Sequence, residues 1–171
     1  MFRYFLIPVF CFLIVLSVPL SAQAADPELL GRFKDWSAYR LKEQGHKVCY
    51  MVSKPIKAEG NYTRRGDIYA LVTHRTKGRS KDVFSYMTGY TYKSGGDVQL
   101  TVDGQKFLLF TQNEMAWTPD TETDRKVVRA IQAGSKMVVK GTSSRGTLTT
   151  DTFSLSGSSA AYKKISEACG Y

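Results

Sequence analysis

The chain has 171 residues, with 24 Lys and Arg against 15 Asp and Glu, a formal net charge of +9, two His and three Cys. That length predicts one domain and excludes a barrel of eight βα units or a multidomain enzyme. So few His and Cys argue against a zinc site built from several of them, and 10 Tyr with 9 Phe exclude a disordered tail. The basic surplus points toward anionic partners: nucleic acid, acidic glycans or anionic lipid.

The first residues narrow that list. Arg3 precedes a nearly unbroken apolar run from Tyr4 to Leu20, followed by the small-residue pattern Ala22-Gln23-Ala24. This is the layout of a secretory signal peptide over residues 1–24, with cleavage predicted between Ala24 and Ala25. An uncleaved anchor is the alternative, because the run is about long enough to span a bilayer. The expected product is a single periplasmic or secreted domain over residues 25–171. Export takes nucleic acid off the list of partners. It also removes Cys11 and leaves Cys49 and Cys169, an even pair expected to form a disulfide closing a loop of roughly 120 residues. A redox-active pair would more often be spaced as CxxC.

Along the remaining chain the signals are mostly of strands. Val48 to Val52 is a short run of β-formers ended by Ser53-Lys54-Pro55. Asp67 to His74 is apolar on both faces, as in a central strand. Asp82 to Tyr92 places Phe84, Tyr86, Tyr90 and Tyr92 on one face, expected to be a core face, with Gly89 at a bulge. Val98, Leu100 and Val102 alternate with polar residues. The pair Asp103-Gly104 then predicts a tight hairpin to Lys106–Phe110. A second hairpin is predicted between Lys136–Thr142 and Thr147–Leu155.

Two helices fit the pattern. One runs from about Asp120 to Ala133, with acids at its start and Gly134 as its C-terminal cap. The other runs from about Ser158 to Ala168, opened by serines able to cap free N–H groups. Many short strands and few helices predict a mainly β fold: an antiparallel β-sandwich with a C-terminal helix.

Charge is segregated. Arg40 to Lys81 holds 11 basic and 3 acidic residues, while the rest of the exported chain is nearly balanced. Lys54, Lys57, Arg64 and Arg65 fall in one predicted loop, and Arg75, Lys77, Arg79 and Lys81 in another. Together they are the candidate residues for binding an anionic surface; the plainer alternative is a pair of solvated loops. Candidates for catalysis are weaker. His74 follows Ile68, Ala70 and Val72 on a strand face and is expected at the core edge, and His46 sits in a polar turn. The serine-rich stretch Ser143 to Ser159 contains no G-x-S-x-G nucleophile elbow. Asp120, Glu122 and Asp124 alternate as in a calcium loop but lack its central Gly and distal Glu, which favours a helix start. Asp151 is expected to bond the turn at Arg145. Asn61-Tyr62-Thr63 matches a glycosylation acceptor triplet that is short enough to arise by chance. No catalytic residue, metal or cofactor is expected.

Several stretches together resemble the invasion-associated locus B (IalB) family. These are Asp35-Trp36-Ser37-Ala38-Tyr39, Cys49 to Pro55, Leu71 to Arg75, Gly89-Tyr90 and Ala116-Trp117. More specific still are Gly134 to Ser143 and Arg145 to Gly157, RGTLTTDTFSLSG, of which Gly141 to Gly157 is the long, composition-rich run, followed by Ser159 to Tyr162 and Ala168-Cys169. The resemblance implies an exported envelope protein of a Gram-negative bacterium, with an immunoglobulin-like β-sandwich and a link to entry into host cells. It brings no catalytic residues. Many relatives have a further Cys near positions 39–40, which here are Tyr39 and Arg40, so any second disulfide of those relatives is absent. The expected function is a non-enzymatic binding module engaging an acidic glycan, an anionic lipid surface or an envelope or host protein. A chaperone-like sandwich pairing through an edge strand is the alternative, and a periplasmic hydrolase a more remote one.

Overall fold

The computed structural model describes residues 26–171. The leader expected over residues 1–24 lies outside the described residues. In chain order the elements are β1 (Glu28–Phe33), β2 (Trp36–Glu43), β3 (His46–Ser53), β4 (Lys57–Gly60), β5 (Tyr69–Arg75) and β6 (Ser80–Met87). They continue with β7 (Val98–Val102), β8 (Gln105–Gln112), β9 (Met115–Trp117), α1 (Thr121–Ala133), β10 (Lys136–Thr142), β11 (Leu148–Ser154) and α2 (Ser158–Cys169). The fold is therefore mainly β with two helices, one of them C-terminal.

All strand pairs are antiparallel, and the strands form one hydrogen-bonded order, β1-β2-β3-β5-β6-β9-β8-β7-β10-β11-β4. The ribbon folds over at β8. Residues up to Leu109 pair with β7, and Phe110 to Gln112 pair with β9. One long strand thus serves both layers, as at the corner of a sandwich whose strands switch sheets.

The two layers meet face to face. Tyr86 of β6 packs edge-on against Phe153 of β11, with ring centroids 6.1 Å apart. The Trp36 indole N–H of β2 donates to the Ser154 carbonyl of β11 at 3.1 Å. Between the layers Trp36, Met51, Phe84, Leu100, Leu109, Met137 and Phe153 are fully buried. The expected aromatic core face holds for Phe84, Tyr86 and Tyr92, while Tyr90 is only half-buried.

Local chemistry explains most element ends. Asp103 and Gly104 adopt φ of +43° and +93°, the two-residue turn that the Asp-Gly pair predicts. The Asp103 carboxylate also accepts from the backbone N–H groups of Ser135 and Lys136, fixing the entry to β10. Asp120 is the N-cap of α1 and accepts from the Thr123 N–H at 2.7 Å.

One cap expectation holds and one needs correction. Gly134 is the C-cap of α1, its N–H donating to the Ala130 carbonyl at 2.8 Å, with an extended φ of −88° rather than a left-handed one. A side chain there would meet the Ala130 carbonyl and the Val102 methyl, each at 2.8 Å, so the position needs glycine for close packing. The serines at the start of α2 do not cap their own helix, whose N-cap is Gly157 with no side-chain bond. Ser158 and Ser159 instead donate to the Ile131 and Gln132 carbonyls, which are otherwise free at the C-terminal end of α1. The hydroxyls thus join the two helices.

Helix α2 packs on β1, β2, β3 and β5. It is anchored by the disulfide between Cys49 of β3 and Cys169 at its last turn, a sequence separation of 120 residues. Replacing both cysteines by Ser is expected to lower unfolding free energy by about 2–5 kcal/mol, chiefly by freeing the unfolded chain. A urea melt of the variant beside the oxidised protein reads this as a lower midpoint; an unchanged midpoint would count against it.

Candidate functional site

At one end of the sandwich three segments converge: the stretch after β4 (residues 61–66), the turn after β6 (residues 89–91) and the β10–β11 turn (residues 143–147). They enclose a cleft of about 640 Å³. Gly89 brings the first two together. Its φ is +73°, its carbonyl accepts the Gly66 N–H at 2.8 Å, and a Cβ on it would lie 2.5 Å from the Gly66 oxygen. Gly89 therefore ends β6 in a turn and does not bulge it.

The floor of the cleft is Arg65. Its side chain is 4% exposed and pairs with Asp151 of β11, itself 1% exposed. The pair is bidentate, with the two terminal guanidinium nitrogens 2.7 and 2.6 Å from the two carboxylate oxygens. Arg65 also donates from Nε to the Thr88 carbonyl at 2.7 Å and from a terminal nitrogen to the Thr88 hydroxyl at 3.0 Å. Tyr86 donates its hydroxyl to the same Asp151 carboxylate. The guanidinium lies over the rings of Tyr62 and Tyr90, at 5.4 and 4.9 Å from their centroids. Burial alone would lower the Arg65 pKa, but the bonds and charge of Asp151 outweigh it and raise it. Burial, reinforced by the Asp151 charge, pushes Tyr86 up, so both it and Arg65 stay protonated.

Asp151 thus bonds Arg65 across the sandwich and not the Arg145 turn. Sequence reasoning missed this pair, although a signal existed. Thr149, Asp151 and Phe153 share the inward face of β11, and an acid alternating with core residues requires a buried cation.

The eight basic candidates separate. Arg65 is spent internally. Arg64 is exposed at the cleft, Lys54 pairs with Asp67 at 3.4 Å, and Lys57 pairs with Glu59 at 2.8 Å. Arg75, Lys77, Arg79 and Lys81 lie at the other end of β5, about 20 Å away for a strand of that length. The two loops therefore do not merge into one patch.

The second group lies on the β5–β6 connection, which meets the C-terminal residue of the chain at Arg75 and Lys81. The Tyr171 hydroxyl donates to the Arg75 carbonyl, Lys81 lies over the Tyr171 ring, and Lys47 donates to the Ala168 carbonyl. Lys77 reaches across to Gln44 at 2.9 Å. Arg75 is partnered only loosely, 4.0 Å from Glu43.

His74 lies beneath this end and is fully buried. Its Nδ1 accepts the Asp82 backbone N–H at 3.1 Å, so Nε2 carries the proton and donates to the Ser166 hydroxyl at 3.1 Å. Burial lowers its pKa from the ordinary 6.5, partly opposed by the Asp82 carboxylate 3.9 Å away. Of the acidic trio, Asp120 caps α1, Glu122 pairs with Lys126, and Asp124 is buried, accepting from the Phe84 N–H and the Thr118 hydroxyl. Burial raises the Asp124 pKa.

Two outcomes follow from these networks. Asp151→Asn strands a buried guanidinium and should cost about 3–5 kcal/mol, whereas the double change Arg65→Met with Asp151→Leu should restore much of that loss. Urea midpoints of the three proteins decide it, and a double variant no better than the single would refute the account. For His74, the unfolded chain takes up a proton near 6.5 but the folded chain only at lower pH. Stability from this group is therefore complete above about pH 6.5 and is lost as pH falls below it. A His74→Gln variant should show a smaller drop in urea midpoint between about pH 7.5 and 5.5 than the parent.

The sequence model of the family described as Invasion associated locus B (IalB) protein matches residues 36–166. Among solved structures the fold is similar to the crystal structure of invasion associated protein B from Bartonella henselae. The TM-score is 0.59 at 17% identity, over 84% of this chain and 97% of that one. No curated protein matches this chain. The family match runs from Trp36, the first residue of β2, into α2, and so spans the core, the Arg65–Asp151 pair and the cleft; the chain belongs to the invasion associated locus B (IalB) family.

Proposed function

We propose that residues 25–171 act as one exported envelope unit that binds an anionic surface and does no chemistry on it. The observation that carries this reading is the basic end of the molecule: Lys47 and Lys81 touch the C-terminal turn of α2 and Tyr171, and Arg75, Lys77 and Arg79 follow one another along the connection from β5 to β6 at the same end. Side chains of this kind on one surface raise the local concentration of anions and speed their encounter.

Export is supported by the leader composition and by the Cys49–Cys169 bond, a feature of oxidising compartments. No helix among the described residues is long and apolar enough to cross a membrane. The side chains that a hydrolase would recruit are already engaged: His74 by Ser166 and the Asp82 backbone, Asp151 by Arg65 and Tyr86. The edge strands offer little for strand pairing. β4 has four residues, two of them charged, and β1 carries a bulge between Leu29 and Gly31. The Bartonella henselae relative is named for invasion, and contact with a host surface is part of this proposal.

Two measurements test it. N-terminal sequencing of the protein from the cell envelope should begin at Ala25. Sedimentation with vesicles containing an anionic lipid should fall with rising salt. It should drop several-fold when Arg75, Lys77, Arg79 and Lys81 are all changed to Gln. Binding that survives those changes undiminished would refute the basic-end reading.

A further inference from the structure

We propose that the cleft at the opposite end is a binding site for an acidic saccharide. The proposal rests on the reading of the chain as a binding module, and gives that module a discrete pocket separate from the basic end.

The argument starts from what lines the cleft. Its volume of about 640 Å³ falls in the usual range for small-ligand sites, about 300–1,000 Å³. The lining residues are Arg, Tyr, Thr, Ser, Asn and Gly, with no carboxylate and no aliphatic side chain among them. Without aliphatic side chains there is no seat for an acyl chain or an apolar peptide side chain. The exposed hydroxyls of Thr63, Thr91 and Ser144 suit a ligand that is itself polyhydroxylated, able to trade donors and acceptors with them.

Charge comes next. Arg65 is neutralised by Asp151, so it sets the floor without adding net charge. Arg64 and Arg145 stand exposed on two different segments of the rim, and neither has an ion-pair partner among the described residues. The nearest acid in sequence, Asp67, is held by Lys54. A guanidinium presents a planar fork that matches a carboxylate or sulfate oxygen pair. Two such forks beside hydroxyls describe an anionic group attached to a sugar, since a bare inorganic anion would leave the hydroxyl-lined remainder of the cleft unused.

The aromatic rings complete the site. Tyr62 and Tyr90 both belong to the lining and are both fixed against Arg65. The Tyr90 hydroxyl is held by the Thr149 hydroxyl at 2.7 Å, and the Tyr62 hydroxyl by the Ala58 carbonyl at 3.2 Å. Each ring thus has one face against Arg65, and the exposed Tyr62 offers the other, at little entropic cost, to the C–H face of a sugar. The buried ion pair therefore acts as scaffold for the pocket while the exposed arginines read the ligand.

Calorimetric titration of the purified oxidised protein tests this with four probes. Trigalacturonate carries carboxylates, a chondroitin sulfate tetrasaccharide carries sulfates as well, maltotriose is neutral, and sodium sulfate supplies the anion alone. At least one acidic oligosaccharide should bind, and the two acidic arms tell which anion is preferred. Arg64→Gln with Arg145→Gln should weaken that binding roughly tenfold or more. Tyr62→Ala should weaken it too, and Lys77→Gln with Arg79→Gln should leave it unchanged. Both arginines are exposed and unpaired, so the thermal midpoint of their double variant should match the parent's. Four results would overturn the site: no binding of either acidic oligosaccharide at millimolar concentration, equal binding of maltotriose, sulfate binding as tightly as the sugars, or full affinity in the Arg64/Arg145 variant. Vesicle binding through the basic end is read separately, so its loss would sink the earlier reading and its persistence would confine the failure to this cleft.

Discussion

The bidentate contact between Arg65 and Asp151 links the two layers at the place where the loops meet. Asp151 stands mid-strand on β11, in a position that core packing would otherwise give to an apolar residue. Removing a carboxylate from water is costly unless each oxygen is bonded, and here Arg65 and Tyr86 supply three donors. The cost of that burial is offset only when the segment after β4 lies across the end of β11 and the turn after β6 presents Thr88. One ion pair thereby fixes three chain segments relative to one another. An apolar substitute could match it for stability, but it would not dictate where the Arg65 loop must lie.

What was legible in the sequence follows the range of the interactions. The Asp103-Gly104 hairpin, the Asp120 cap and the strands around them depend on residues a few positions apart, and the structure has them close to where the residues place them. The disulfide was legible because an exported chain without the expected leader keeps just two cysteines. The second strand and the start of the third were harder. β2 and the start of β3 carry Arg40, Lys42, Glu43, His46 and Lys47, and a half-exposed strand with such residues resembles a polar loop. Only the segment around Trp36 stood out, and then through resemblance to a family.

The site was less legible still. Arg65 and Asp151 are 86 positions apart, and no local pattern says that an arginine in a basic loop turns inward. Its neighbours Arg64 and Lys57 have the same charge and stay outside. Arg65 differs from them in standing next to Gly66, which packs closely on Gly89, and in reaching Thr88 and Asp151. Net charge likewise misled in one respect. The excess between Arg40 and Lys81 is real, but β5 runs through its middle and holds its two halves at opposite ends. The serines of α2 teach a related lesson: they sit where a cap belongs, yet they serve the neighbouring helix.

The position of β4 has a consequence for how the chain comes together. It is the fourth strand made but the last in the ribbon, and its only strand partner among the described residues is β11. β4, with Arg65 just behind it, therefore has no strand to pair with until β11, near the far end of the chain, is in place. β1, β2, β3, β5 and β6 can zip together beforehand around that unplaced segment. The loop that carries Arg64 and Arg65 is drawn in only at closure, when Asp151 arrives. The cleft thus depends on both halves of the chain, and without β11 the arginine-bearing loop would lose its strand partner and the Asp151 carboxylate together.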